Sequence, residues 1–67
     1  MKIVRACIYP KDIQCITGRS ERYGRKLLNE IKLHFGKESH QFITSEEFAE
    51  YSGINVEIVN EYLQKVS

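Results

Sequence analysis

The two halves of the chain repeat one pattern at an offset of 35 residues, and this repeat limits the fold more than any other feature of the sequence. Eight positions align in chemistry, and three of these pairs are identities. The aligned pairs are Ile8 with Ile43, Ile13 with Phe48, Ile16 with Tyr51, Gly18 with Gly53, Ser20 with Asn55, Leu27 with Tyr62, Leu28 with Leu63 and Ile31 with Val66. Because 67 residues provide only one small core, we expect a single domain over residues 1–67 made of two similar halves.

Helix start signals occur at the same place in both halves. In the second half Thr44 and Glu47 form a capping box, in which each side chain bonds the backbone amide of the other residue, so a helix is predicted to begin near Ser45. In the first half Pro10 takes the equivalent first helical position, where its missing N–H costs nothing. A short helix is therefore expected in each half.

Each short helix meets a stop signal that is followed at once by a new start. Gly18 and Gly53 are the residue type that best adopts the left-handed conformation at a helix end. Two positions later, Ser20 and Asn55 are strong N-cap residues. Each half is thus predicted to be a helix, a tight glycine turn and a second helix.

The second helices follow from apolar residues at helical spacing. They are predicted over about residues 20–35, stopped by Gly36, and over about residues 55–65. Residues 7–8 and 42–43 are expected to be short extended segments, and the stretch 3–8 is apolar enough to pair with the second segment. The expected fold class is a mainly α, four-helix domain made of two helix-turn-helix-like hairpins, with a short two-stranded β pairing.

Charge divides the chain into a basic and an acidic half. Net charge is +2 over residues 1–10, +4 over residues 11–37 and −5 over residues 38–67, although the whole chain carries only +1. We therefore distinguish a basic half, 8–36, from an acidic half, 43–67. A locally positive face can attract a polyanion even when the whole molecule is nearly neutral.

Residues 12–27 resemble the helix-turn-helix of DNA-binding transcription regulators, in which a glycine turn precedes a polar N-cap and a recognition helix. Residues 47–62 are similar to the excisionase-like variety of that motif. The first copy has Arg19 where an apolar residue is usual and Gly24 where Val or Ile is usual. The resemblance covers residues 8–64 and implies that a second helix enters the major groove of DNA.

Helical spacing places the basic residues of 20–35 opposite its apolar side. That outer face carries arginines able to bond guanine, an asparagine able to bond adenine and lysines suited to phosphate. The predicted DNA-binding residues are Arg19, Ser20, Arg22, Arg25, Lys26, Asn29 and Lys32. We expect a double-stranded DNA-binding protein that acts in transcription regulation or as an accessory factor of a mobile element.

A second hypothesis is a protein-interaction adaptor that binds its partner through the acidic half. The last helix is predicted to present Glu57, Asn60, Glu61 and Gln64 outward, and a phosphate backbone repels the two glutamates.

Because a single module buries only about 600–1,000 Å² on DNA, tight DNA binding is expected to need a homodimer or a larger complex.

Enzyme and metal functions are not expected. Cys7, Cys15, His34 and His40 lack the close spacing of zinc ligands, and no third group orients a Cys15–His34 dyad. We expect no metal or cofactor. Two cysteines cannot form a secreted disulfide framework, and the longest apolar run is four residues. A cytoplasmic chain without a membrane segment is therefore expected.

Overall fold

The computed structural model describes residues 7–66, and it is mainly helical. Its elements are β1 (Cys7–Ile8), α1 (Pro10–Thr17), α2 (Glu21–His34), β2 (Ile43–Thr44), α3 (Ser45–Ser52) and α4 (Val56–Val66). The predicted fold class, four helices with a two-stranded pairing, is confirmed. The second strand includes Thr44 and not Phe42, a shift of one residue. Residues 3–6 of the predicted pairing lie outside the described residues.

The repeat in sequence is also a repeat in structure. Helices α1 and α3 begin and end 35 residues apart, and α2 and α4 begin 35 residues apart. Gly18 and Gly53 end the short helices with φ angles of 74° and 80°. In the first turn the Thr17 hydroxyl accepts the Arg19 amide, and in the second the Ser52 hydroxyl accepts the Ile54 amide. Both N–O distances are 3.2 Å. The two glycine turns therefore share one geometry.

The strand pair joins the two halves through equivalent residues. Strands β1 and β2 are antiparallel, and Ile8 lies opposite Ile43. An antiparallel pair whose opposed residues are equivalent has a local two-fold axis between them. Both isoleucines are buried, so the contact between the halves is part of the core.

All six elements contribute to the core. The buried apolar residues are Ile8, Ile13, Ile31, Ile43, Phe48, Ala49, Val59 and Leu63. Full burial of one such large aliphatic or aromatic side chain stabilises a fold by about 1.5–3 kcal/mol. The basic half supplies three of these eight residues and the acidic half supplies five, so the two halves share one core.

Helices α1 and α2 are in close contact at Gly24, whose position leaves no room for a side chain. A Cβ atom added at Gly24 would lie 2.4 Å from the carbonyl oxygen of Pro10, which is backbone and cannot rotate away. The packing therefore requires a residue without a side chain at this position. The glycine allows the start of α1 to lie directly against α2, and this contact fixes how α2 is presented.

Glu47 fastens the start of α3 to the loop that follows α2. Its Oε1 atom accepts the Thr44 amide at 2.9 Å and the Lys37 ammonium at 2.7 Å. Lys37 also donates to the carbonyl of Phe42 at 2.7 Å. Burial alone would raise the pKa of Glu47, but the hydrogen bonds from Lys37 and Thr44 outweigh burial and lower the pKa below its usual value.

Asp12, which is equivalent to Glu47, fastens α1 to α4. Its carboxylate is buried and accepts the Tyr9 amide at 2.8 Å and the Tyr62 hydroxyl at 3.1 Å. Burial raises the pKa of Tyr62 above its usual value, and Cys15 and Asp12 raise it further. The two equivalent carboxylates thus cap their own helices, and each also binds another segment: Asp12 binds α4, and Glu47 binds the loop after α2.

Removing the charge of Glu47 should change how stability depends on pH. The folded-state pKa lies below the ordinary value of 4.5. The charged group therefore stabilises the fold fully above that pH, and the contribution is lost as the pH falls through the folded-state pKa. We expect Glu47→Gln to lower the free energy of unfolding by about 1 kcal/mol at pH 7, and the deficit to shrink at pH 3 in urea unfolding.

The matched control for this experiment is Glu46→Gln, which removes an exposed neighbouring carboxylate of the same helix turn. Its deficit should be small at both pH values, because a solvated charge contributes little. An equal deficit for Glu47→Gln at pH 7 and pH 3 would contradict the contribution assigned to the carboxylate charge.

Candidate nucleic-acid interface

Helix α2 begins directly behind the first glycine turn with a fixed N-terminus. The Ser20 hydroxyl accepts the backbone amide of Tyr23 at 3.1 Å, so Ser20 is the N-cap as predicted. Leu27 and Leu28 pack on the core, and Ile31 is fully buried. The apolar side of α2 is therefore turned inward, and its opposite side faces solvent.

The solvent side of α2 carries a continuous set of basic and amide groups, which we call the basic face. Its members are Arg22, Arg25, Lys26 and Asn29, all of them exposed. Arg25 makes an ion pair with Glu21 at 3.5 Å, and the two side chains are 61% and 58% exposed. Exposed pairs at this spacing contribute only about 0.3–0.5 kcal/mol, so Arg25 can exchange this partner for a stronger one.

The other predicted site residues on α2 and its turn lie at the two ends of the basic face. Arg19 is exposed, and its guanidinium lies over the Tyr23 ring, 4.4 Å from the ring centroid. Lys32 is half-buried, and its ammonium donates to the carbonyl of Ser39 at 2.8 Å. Lys32 therefore braces the loop after α2, whereas Ser20 serves as the cap.

A cleft of about 240 Å³ lies where the basic face meets that loop. Its lining residues are Asn29, Lys32, Leu33, Lys37 and Ser39. Leu33 is 80% exposed, and the sequence analysis named it neither among the apolar residues of the helix nor among the site residues. Its position on the helix, two residues after Ile31, was the available signal that it lies off the buried stripe.

The acidic half does not neutralise the basic face. Among residues 7–66 the ion pairs are Arg25 with Glu21 and Lys37 with Glu47. The first lies within α2, and the second lies beyond its C-terminal end. Helix α4 instead exposes its own glutamates to solvent, so Arg22 and Lys26 remain available to a partner molecule.

The cysteines and histidines form no comparable site in the described part of the chain. Cys7 is half-buried in β1, and Cys15 is exposed in α1. Within residues 7–66 no three His, Cys, Asp or Glu side chains come together as a metal would require. None of the helices in this range has both the length and the apolar character needed to cross a membrane.

The basic face can therefore offer planar guanidinium groups, an amide and an ammonium from one rigid helix. Guanidinium and amide groups form paired hydrogen bonds with base edges or phosphates.

Comparison of the chain with protein-family models, with curated protein sequences and with solved structures gives no match.

Proposed function

We propose that the protein binds double-stranded DNA by placing the basic face of α2 in the major groove. The observation that carries the proposal is the exposure of Arg22, Lys26 and Asn29 on one side of a helix that is fixed by a glycine turn and a buried opposite side. The major groove is about 12 Å wide and admits an α-helix. The resemblance to regulators and excisionase-like proteins supports a role in transcription regulation or in a mobile element.

The residues of the basic face have different roles in this binding. In the proposed complex Arg22 and Arg25 each form two hydrogen bonds with guanine O6 and N7, and Asn29 forms two with adenine N6 and N7. Lys26 supplies a charge for the phosphate backbone, which contributes affinity without sequence preference. Because α1 crosses behind Gly24, the basic face is held rigidly relative to the rest of the domain.

Selection from a random duplex pool, followed by titration over a range of salt concentrations, tests this function. We expect enrichment of one sequence and a log–log salt slope of about −4, which corresponds to four or five phosphate contacts. A chain that binds no duplex at any ionic strength would contradict the proposal and favour the second candidate.

That second candidate is an adaptor that binds another protein through the acidic half. It is favoured by Ile58, which is 57% exposed on α4 beside the exposed Glu57 and Glu61. An apolar centre surrounded by a polar rim is the usual arrangement of a protein interface. A homodimer formed through α4 would also give the larger contact area that tight DNA binding requires.

A further inference from the structure

The start of α2 holds one arginine in a defined place. The glycine turn is closed by Thr17, whose hydroxyl donates to the carbonyl of Ile13 at 2.6 Å and accepts the amide of Arg19 at 3.2 Å. These two bonds fix the backbone of Arg19. Its guanidinium then lies over the ring of Tyr23, 4.4 Å from the ring centroid. Both ends of the Arg19 side chain are therefore restrained.

The Tyr23 ring is itself held in one place. Tyr23 is half-buried and packs against the core, and its amide is bonded by the Ser20 cap. A cation over an aromatic face is attracted by the π electrons, and this contact does not use up the N–H donors of a guanidinium. No ion pair joins Arg19 to another residue between positions 7 and 66.

The second half of the chain has no aromatic ring at the equivalent place. Ile54 and Ile58 are the residues equivalent to Arg19 and Tyr23. They occupy the same turn and the same helix position with aliphatic side chains. An aromatic ring is therefore present in the half that has a cation at this turn and absent from the half that has none.

We infer that Tyr23 is a positioning residue that holds the Arg19 guanidinium ready to bind a phosphate of the DNA backbone beside the basic face. This inference rests on the proposed DNA-binding function. Holding a flexible side chain in its binding conformation strengthens binding because less conformational entropy is lost when the complex forms. Arg19 supplies the phosphate contact, and Tyr23 supplies only its placement.

Four variants separate these roles in duplex titrations at several salt concentrations. Tyr23→Ile, which copies Ile58 of the second half, should weaken binding about two- to fivefold with an unchanged salt slope, since the cation–π contact is lost but the phosphate contact remains. Arg19→Ala should weaken binding about tenfold and reduce the magnitude of the slope by about one. The double variant should bind no more weakly than Arg19→Ala, and Tyr23→Phe should bind as the wild type does.

Additive losses in the double variant, or equal weakening by Tyr23→Phe and Tyr23→Ile, would overturn the positioning role while leaving DNA binding intact. Failure of the wild type to bind duplex would overturn both this inference and the proposed function. Proton NMR of the free protein gives a measurement that does not depend on Tyr23→Ile folding. The Arg19 side-chain protons should show an upfield ring-current shift in the wild type and in Tyr23→Phe, and its absence would overturn the contact.

Discussion

Replacing Arg22, Arg25 and Lys26 together by alanine is expected to weaken duplex binding at least about a hundredfold, because each lost base or phosphate contact costs about 1–3 kcal/mol. The domain should remain folded, since all three side chains are exposed and none belongs to the core. Fluorescence anisotropy with the selected duplex measures the affinity, and circular dichroism measures the helix content and the Tm.

Two matched variants make this result specific. Glu57→Gln combined with Glu61→Gln alters exposed charges on α4 and should leave the affinity equal or slightly higher. Arg22→Lys combined with Arg25→Lys keeps the charge but removes the paired hydrogen bonds of guanidinium. This variant should retain binding to unrelated duplexes and lose preference for the selected one. Unchanged affinity in the triple alanine variant would contradict the assignment of the basic face.

We expect the second large effect, a loss of folding stability, from adding a single methyl group at Gly24. The new Cβ would meet the Pro10 carbonyl oxygen at 2.4 Å, so α1 and α2 would have to separate. Alanine would otherwise favour the helix by about 1 kcal/mol, yet we expect Gly24→Ala to lower the free energy of unfolding by about 3 kcal/mol because overpacking against backbone cannot be relieved by a side-chain rotation. Urea unfolding measures this loss.

Gly18→Ala is the control for this prediction. Gly18 has a φ angle of 74° and open space around it, so alanine there should cost only the strain of the left-handed conformation, about 1 kcal/mol. The contrast between the two glycines separates steric contact from backbone strain. An unfolding free energy for Gly24→Ala equal to or above that of the wild type would contradict the close approach of the two helices.

The helices could be predicted because each is bounded by local signals. Pro10, Ser20 and Thr44 start helices through their own backbone and side-chain chemistry, and Gly18 and Gly53 end them. Such signals act over a few residues and do not depend on the rest of the fold. Because the halves repeat at an offset of 35 residues, a helix boundary recognised in one half also predicts the equivalent boundary in the other.

The features that the sequence could not predict all depend on contacts between separate segments. The role of Gly24 depends on Pro10 lying against it, and the bracing role of Lys32 depends on the path of the loop near Ser39. Neither spacing nor composition encodes such contacts. The basic face was predictable from helical spacing alone, but its freedom from the acidic half was not, because that depends on where α4 lies.

The most direct measurement for the proposed interface is a two-dimensional ¹H–¹⁵N NMR titration of the protein with the selected duplex. We predict the largest shifts at the amides of residues 19–29 and at the side-chain Nε–Hε groups of Arg22 and Arg25, with small shifts over residues 56–66. Large shifts confined to residues 56–66, with unchanged arginine side-chain signals, would contradict the account and place the interface on the acidic half.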